Sequence, residues 1–172
     1  MNEGSITRGR GILHATVWGT ALFVVLGILG AVFPDSMTTP FVVVSLIEFV
    51  LGMIVFGLAF LRAIDRSRTE AIGIGGLFFA SGSAPKRVQA TLMGSLTVQV
   101  VVSIVVASVR LYTPLAFGVL APMWSLGFAG LWVSAYGVFP EREPEPTRSA
   151  RRDADRRAHR SSMPPKGGGT AE

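Results

Sequence analysis

The sequence predicts an all-α integral membrane protein whose four transmembrane helices form two helical hairpins, and three observations predict it. Four stretches of about 20 residues are nearly free of charge, in a chain that is 49% hydrophobic, and a bilayer core of ~30 Å needs about that many apolar helical residues to be crossed. Fifteen of the sixteen Lys and Arg fall on one side of the topology these stretches define. The two halves of the chain also repeat one another in outline. With 172 residues, no cysteine and a net charge of +5, the composition excludes an ordinary soluble enzyme, a disulfide scaffold and a cysteine-based metal site.

Span 1 runs from Ile12 to Phe33, with His14 as its one titratable group. Span 2, Phe41 to Leu61, carries a single acid, Glu48. Span 3, Val88 to Val109, is uncharged, and span 4, Leu115 to Phe139, is interrupted by Pro122, which is expected to kink it. Spans 2 and 4 are each preceded by Thr-Pro, at Thr39-Pro40 and Thr113-Pro114. Threonine can accept a bond from an orphan backbone N–H, and proline at the first helical position loses no needed donor. The chain then divides into an N-terminal arm (1–11), a first hairpin (12–61), a central loop (62–87), a second hairpin (88–139) and a basic tail (140–172). Within the central loop, Ala71 to Phe79 is apolar but too short to span, which suggests an interfacial or re-entrant segment.

Orientation follows from the basic residues, because loops rich in Lys and Arg stay cytoplasmic. Arg8 and Arg10 lie before span 1, Arg62, Arg66, Arg68, Lys86 and Arg87 lie in or beside the central loop, and eight more occupy the tail from Arg142 to Lys166. The opposite side receives only Arg110, and the short loop from Pro34 to Thr39 has none. Both termini are therefore expected in the cytoplasm, at a plasma membrane, and the arginine-rich composition suggests a bacterial one. Span 1 is too long for a signal-peptide core and lacks a good cleavage site, so its retention is expected.

The segment His14-Ala15-Thr16-Val17-Trp18-Gly19-Thr20 resembles Gln89-Ala90-Thr91-Leu92-Met93-Gly94-Ser95, and the Thr-Pro pairs follow in nearly the same register. Each unit holds two spans, so duplicated units share one orientation and relate about the membrane normal. Ala15 with Gly19, and Ala90 with Gly94, are small residues one turn apart, of the kind that lets helices approach closely in lipid. Spans 1 and 3 are expected to cross there.

Glu48 is the most informative residue, because an acid at a helix centre costs roughly 2.5–3.5 kcal/mol on insertion scales. Helical spacing places it on a stripe with Phe41, Ser45, Gly52, Val55 and Ala59. Span 3 offers a facing stripe of Thr91, Ser95, Gln99, Ser103 and Ala107. At 1.5 Å per residue, Glu48 lies ~20 Å and Gln99 ~16 Å from the inner ends of their spans, so the two can meet near mid-membrane. The candidate intramembrane polar site is Glu48, Gln99, Ser45 and Ser103. It is either a helix-registering contact or the centre of a proton- or cation-coupled pathway.

The tail after Phe139 has few apolar residues and is expected to be disordered when free. Its Arg151, Arg152, Arg156, Arg157 and Arg160 are candidate contacts for anionic lipid headgroups. The glycines of Gly73 to Gly76 do not make a phosphate loop, since strand context and the Gly-Lys-Ser/Thr ending are missing. With two histidines and no grouped acids, neither catalysis, a metal site nor a cofactor is expected. The expected partners are the bilayer, anionic headgroups, and a second copy or another membrane protein, with nucleic acid not expected. The function that fits is a small accessory or assembly subunit of a membrane complex. The alternative is a proton- or cation-coupled transporter or channel centred on Glu48.

Overall fold

The computed structural model describes residues 9–68, 70, 73–109, 112–140 and 148–161. Among these, every element is helical: α1 (Arg10–Val32), α2 (Pro34–Arg66), α3 (Ile74–Phe78), α4 (Lys86–Val109), a 3-10 helix (Pro114–Leu120), α5 (Pro122–Tyr136) and α6 (Arg148–Ser161). Four helical stretches are long and apolar enough to cross a membrane: α1, α2, α4, and the 3-10 helix together with α5. Residues 1–141 form one compact unit and residues 142–172 another.

The first hairpin turns more abruptly than the Thr-Pro signal suggests. Helix α1 ends at Val32, Phe33 alone leaves helical geometry, and α2 opens at Pro34. The expected loop from Pro34 to Thr39 is therefore helical. Pro34 at the first position needs no donor, Asp35 suits the positive end of the helix dipole, and Thr38 Oγ1 donates to the Pro34 carbonyl at 2.6 Å. Pro40 consequently lies inside α2, where it cannot donate to the carbonyl four residues back. The second hairpin behaves differently. Thr113 is extended, Pro114 opens a 3-10 helix, and Pro122 starts α5 as a separate α-helix. Span 4 is thus two helical pieces joined at Ala121 rather than one kinked helix.

Two buried clusters fix the packing. One joins Ala63 at the end of α2, Leu77 in α3, Val88 and Leu92 at the start of α4, and Trp132 and Val133 late in α5, with Ile12 and Leu13 of α1 against it. The other joins Phe23, Phe41, Val106, Leu115 and Ala121. The helices therefore alternate up and down between two ends. At the first end meet the start of α1, the end of α2, the start of α4 and the end of α5. Helix α5 is the innermost element: 44% of its span is buried, against 22–28% for the others.

Helices α2 and α5 cross where glycines remove side chains from the interface. A methyl group added at Gly52 would lie 2.5 Å from the Met123 carbonyl carbon, and one at Gly127 would lie 2.5 Å from the Gly52 carbonyl oxygen. Close backbone approach of this kind maximises van der Waals contact between apolar helices. The short α3 is packed rather than free: Leu77 is buried and the Phe78 ring stacks on Phe56 at 4.7 Å. Arg66 then ties α2 to the end of α5. It donates to the Ser134 carbonyl at 2.9 Å and the Gly137 carbonyl at 3.1 Å, pairs with Glu70 at 2.7 Å, and lies 5.5 Å from the Phe139 ring centre. These carbonyls belong to a helix C-terminus, which attracts a cation.

The tail departs from the disorder its composition suggests, since Arg148–Ser161 is an α-helix. Its alanines supply helix propensity, and its arginines and aspartates, Asp153 one turn from Arg157 among them, stand at the i,i+4 spacing that favours a helix.

Candidate functional site

The polar site grows from the inward face of α2. Its buried residues are Phe41, Ser45, Glu48, Gly52, Ala59 and Ala63, spaced three, four or seven apart so that they share one side of a 3.6-residue helix. The buried face of α4 is Val88, Leu92, Ser95, Gln99, Ser103 and Val106. Thr91 and Ala107, on the strict four-residue stripe, are only half-buried, because a repeat of four drifts around a helix of 3.6 residues per turn.

Where these faces meet, Gln99 Nε2 donates to Glu48 Oε2 at 3.2 Å. Glu48 is 3% exposed and Gln99 is fully buried. Ser45 and Ser103 are buried with them, but each hydroxyl donates within its own helix, to the Phe41 and Val100 carbonyls, both at 2.8 Å. Glu48 Oε1 and Gln99 Oε1 have no hydrogen-bond partner. The pair lies between the two hydrophobic clusters, and Gly52, one turn beyond Glu48, touches the first turn of α5. A carboxyl and an amide thus bridge two helices in the bundle interior, with two acceptor oxygens to spare.

The small-residue patches are not brought together. Gly19 packs against the Trp124 indole, whose Nε1 donates to the Ala15 carbonyl at 3.2 Å, so this patch faces α5 rather than α4. Ala90 is exposed and Gly94 has nothing within 4 Å of an added methyl group. Both stand two residues from Leu92, a rotation of about 200° that turns them away from the buried face. Helices α1 and α4 instead meet near Gly27, where an added methyl group would lie 3.3 Å from Val102 Cγ1 and 3.4 Å from Val106 Cγ2.

Three features were not read from the sequence: the Gly52–Gly127 crossing, the Arg66 clamp, and the Thr20–Ser125 hydroxyl contact at 3.3 Å. A signal for the first lay in span 4, where Ser125, Gly127, Ala129, Gly130 and Ser134 concentrate small residues. In the tail, Arg152, Arg156 and Arg157 are exposed, while the side chains of Arg151 and Arg160 lie outside the described residues. Among the described residues, no three His, Cys, Asp or Glu side chains stand together so as to hold a metal ion. Comparison of the chain with family models, curated proteins and solved structures finds no match.

Proposed function

We propose that the chain is a four-pass protein of a plasma membrane, with both termini cytoplasmic, that serves as a small accessory or assembly subunit of a membrane complex. One observation carries this reading: the bundle is apolar outside and sealed around its polar pair inside. Large apolar side chains are exposed on every span, among them Ile28, Ile54, Ile104 and Val119, whereas Glu48 and Gln99 close on each other in the interior. Acyl chains solvate such an exterior, and an interhelical polar contact in it fixes helix register. Helix α2, with 33 residues, is ~50 Å long and exceeds a ~30 Å core, so its Arg62, Asp65 and Arg66 end would project into the headgroups. Fifteen of sixteen cations on that side of the chain's path support the orientation. A duplicated two-span unit remains our reading of the Ala-Thr-x-x-Gly and Thr-Pro registers.

The tail helix α6 is proposed to hold anionic headgroups through Arg151, Arg152, Arg156, Arg157 and Arg160, at ~1 kcal/mol for each residue near the surface. A second reading, a proton- or cation-coupled carrier or channel centred on Glu48, is favoured by the unpartnered Glu48 Oε1. Affinity purification from native membranes separates the two. For an accessory subunit, Glu48→Gln recovers the same partners, and truncation after Arg142 loses them while the membrane unit stays folded. Unchanged partner recovery by the truncation, together with loss of cellular function in Glu48→Gln, would favour the carrier.

A further inference from the structure

Where α3 lies beside the end of α2, the two leave a cleft of about 150 Å³. Phe60, Ile64 and Ser67 line it from α2, Leu77 and Phe78 from α3, and Gly73 from the residue before α3. Its walls are anchored. Leu77 is buried in the cluster around Trp132, and the Phe78 ring stacks on Phe56 at 4.7 Å. Its mouth is open, since Phe60 and Ile64 are each about half exposed on the exterior of the bundle. The one polar side chain in the lining, Ser67, donates its hydroxyl to the Ile64 carbonyl at 2.7 Å. An apolar cavity of this size takes hydrocarbon in preference to water.

The same side of α2 is graded from charge to hydrocarbon. Arg68 follows Ile64 by one turn, is exposed, and pairs with no carboxylate among the described residues. Arg66 differs, being held by Glu70 and by the carbonyls at the end of α5. In the other direction, Gly57 stands one turn beyond Phe60 and has open space where a side chain would be. Arg68 and Gly57 are 11 positions apart, ~16 Å at helical rise, and one leaflet contributes ~15 Å of hydrocarbon. We propose that this cleft holds an acyl chain of one anionic phospholipid, with the lipid's phosphate on Arg68 and its chain running along Ile64 and Phe60 toward Gly57. A cation at headgroup depth selects the negative headgroup, and the apolar cleft below it takes the chain. Helix α3, too short to span, acquires a role as the second wall of the site. The inference rests on the membrane reading and goes beyond it, naming the class of lipid and the residues that hold it, apart from the arginines of α6.

The test titrates the delipidated full chain in detergent with dioleoyl phosphatidylglycerol or dioleoyl phosphatidylcholine and reads the first bound lipid by native mass spectrometry. With equal acyl chains, only the headgroup differs. Phosphatidylglycerol should bind the first site about fivefold more tightly, and Arg68→Gln should remove that preference. Arg62→Gln should keep it, because Arg62 stands two residues, about 200°, from Ile64. Gly57→Leu should weaken first binding of both lipids and retain the preference. Equal first binding of the two lipids by the wild type overturns the proposal, and this comparison involves no variant that could misfold. Equal loss of preference in Arg68→Gln and Arg62→Gln also overturns it, as does unchanged binding in Gly57→Leu; either result leaves the cleft to a partner protein. A chain that stays in solution without detergent and binds neither lipid would instead overturn the membrane reading, so the two failures are distinct.

Discussion

The two hairpins carry similar sequence signals and use them in opposite ways. In the first, Pro40 is absorbed into a continuous 33-residue helix and Gly19 is pressed against Trp124. In the second, Pro114 and Pro122 break the span into a 3-10 helix and an α-helix, and Gly94 stands in the open. The difference teaches that a small residue or a proline in a membrane-type helix has no fixed structural meaning. Its meaning is set by whether another backbone lies opposite. Helix α5, the innermost element, decides most of these cases: it supplies Trp124 to α1, Gly127 to α2 and its C-terminal carbonyls to Arg66.

Breaking the contact between the hairpins where backbone meets backbone should have the largest effect. Gly52→Val must push Met123 and Trp124 backbone atoms that lie 2.5–2.6 Å from an added methyl group, and a destabilisation of about 3 kcal/mol or more is expected. Loss of a monodisperse peak in size-exclusion chromatography would report it, whereas a wild-type profile would contradict the crossing. Arg66→Ala comes next. It strips two charge-assisted bonds from the end of α5 and should cost about 2 kcal/mol, read as a lower melting temperature. Arg66→Lys should recover only part of this, because a lysine lacks the planar fork that reaches two carbonyls.

The paired glycines sharpen the comparison further. Gly19→Ala forces the Trp124 indole aside and should destabilise by about 1–2 kcal/mol. Gly94→Ala meets open space and should stabilise by about 0.5–1 kcal/mol through helix propensity. Equal effects at the two positions, measured by thermal denaturation, would restore the symmetric crossing that the sequence suggests. The smallest effect belongs to the polar pair itself. A double-mutant cycle over Glu48→Gln and Gln99→Leu should return a coupling near 0.6 kcal/mol, the average for interhelical hydrogen bonds in membranes.

Particular residues show how far the sequence alone reaches. Spacing on α2 groups Phe41, Ser45, Glu48, Gly52, Val55 and Ala59, and the structure buries all but the half-buried Val55, because a helical period and an apolar surround leave an acid one direction to face. Depth arithmetic brings Gln99 to the level of Glu48, since rise per residue is fixed in a helix. The Ala90 and Gly94 patch fails for the converse reason: a small residue marks where a close approach is permitted, without requiring a neighbour to make one. Pro40 fails similarly, as Pro34 six residues earlier offers an equally good start and the chain uses the earlier one.

The presence of four apolar helical spans, the inward direction of Glu48 and the clustering of cations were set by the sequence itself, through periodicity and transfer free energy acting within single helices. Which helices touch was settled only in the tertiary structure. That choice is made by shape. The absence of side chains at Gly52 and Gly127 admits α5 against α2, and once α5 is seated there, the positions of Trp124, the Arg66 clamp and the open face of α4 follow.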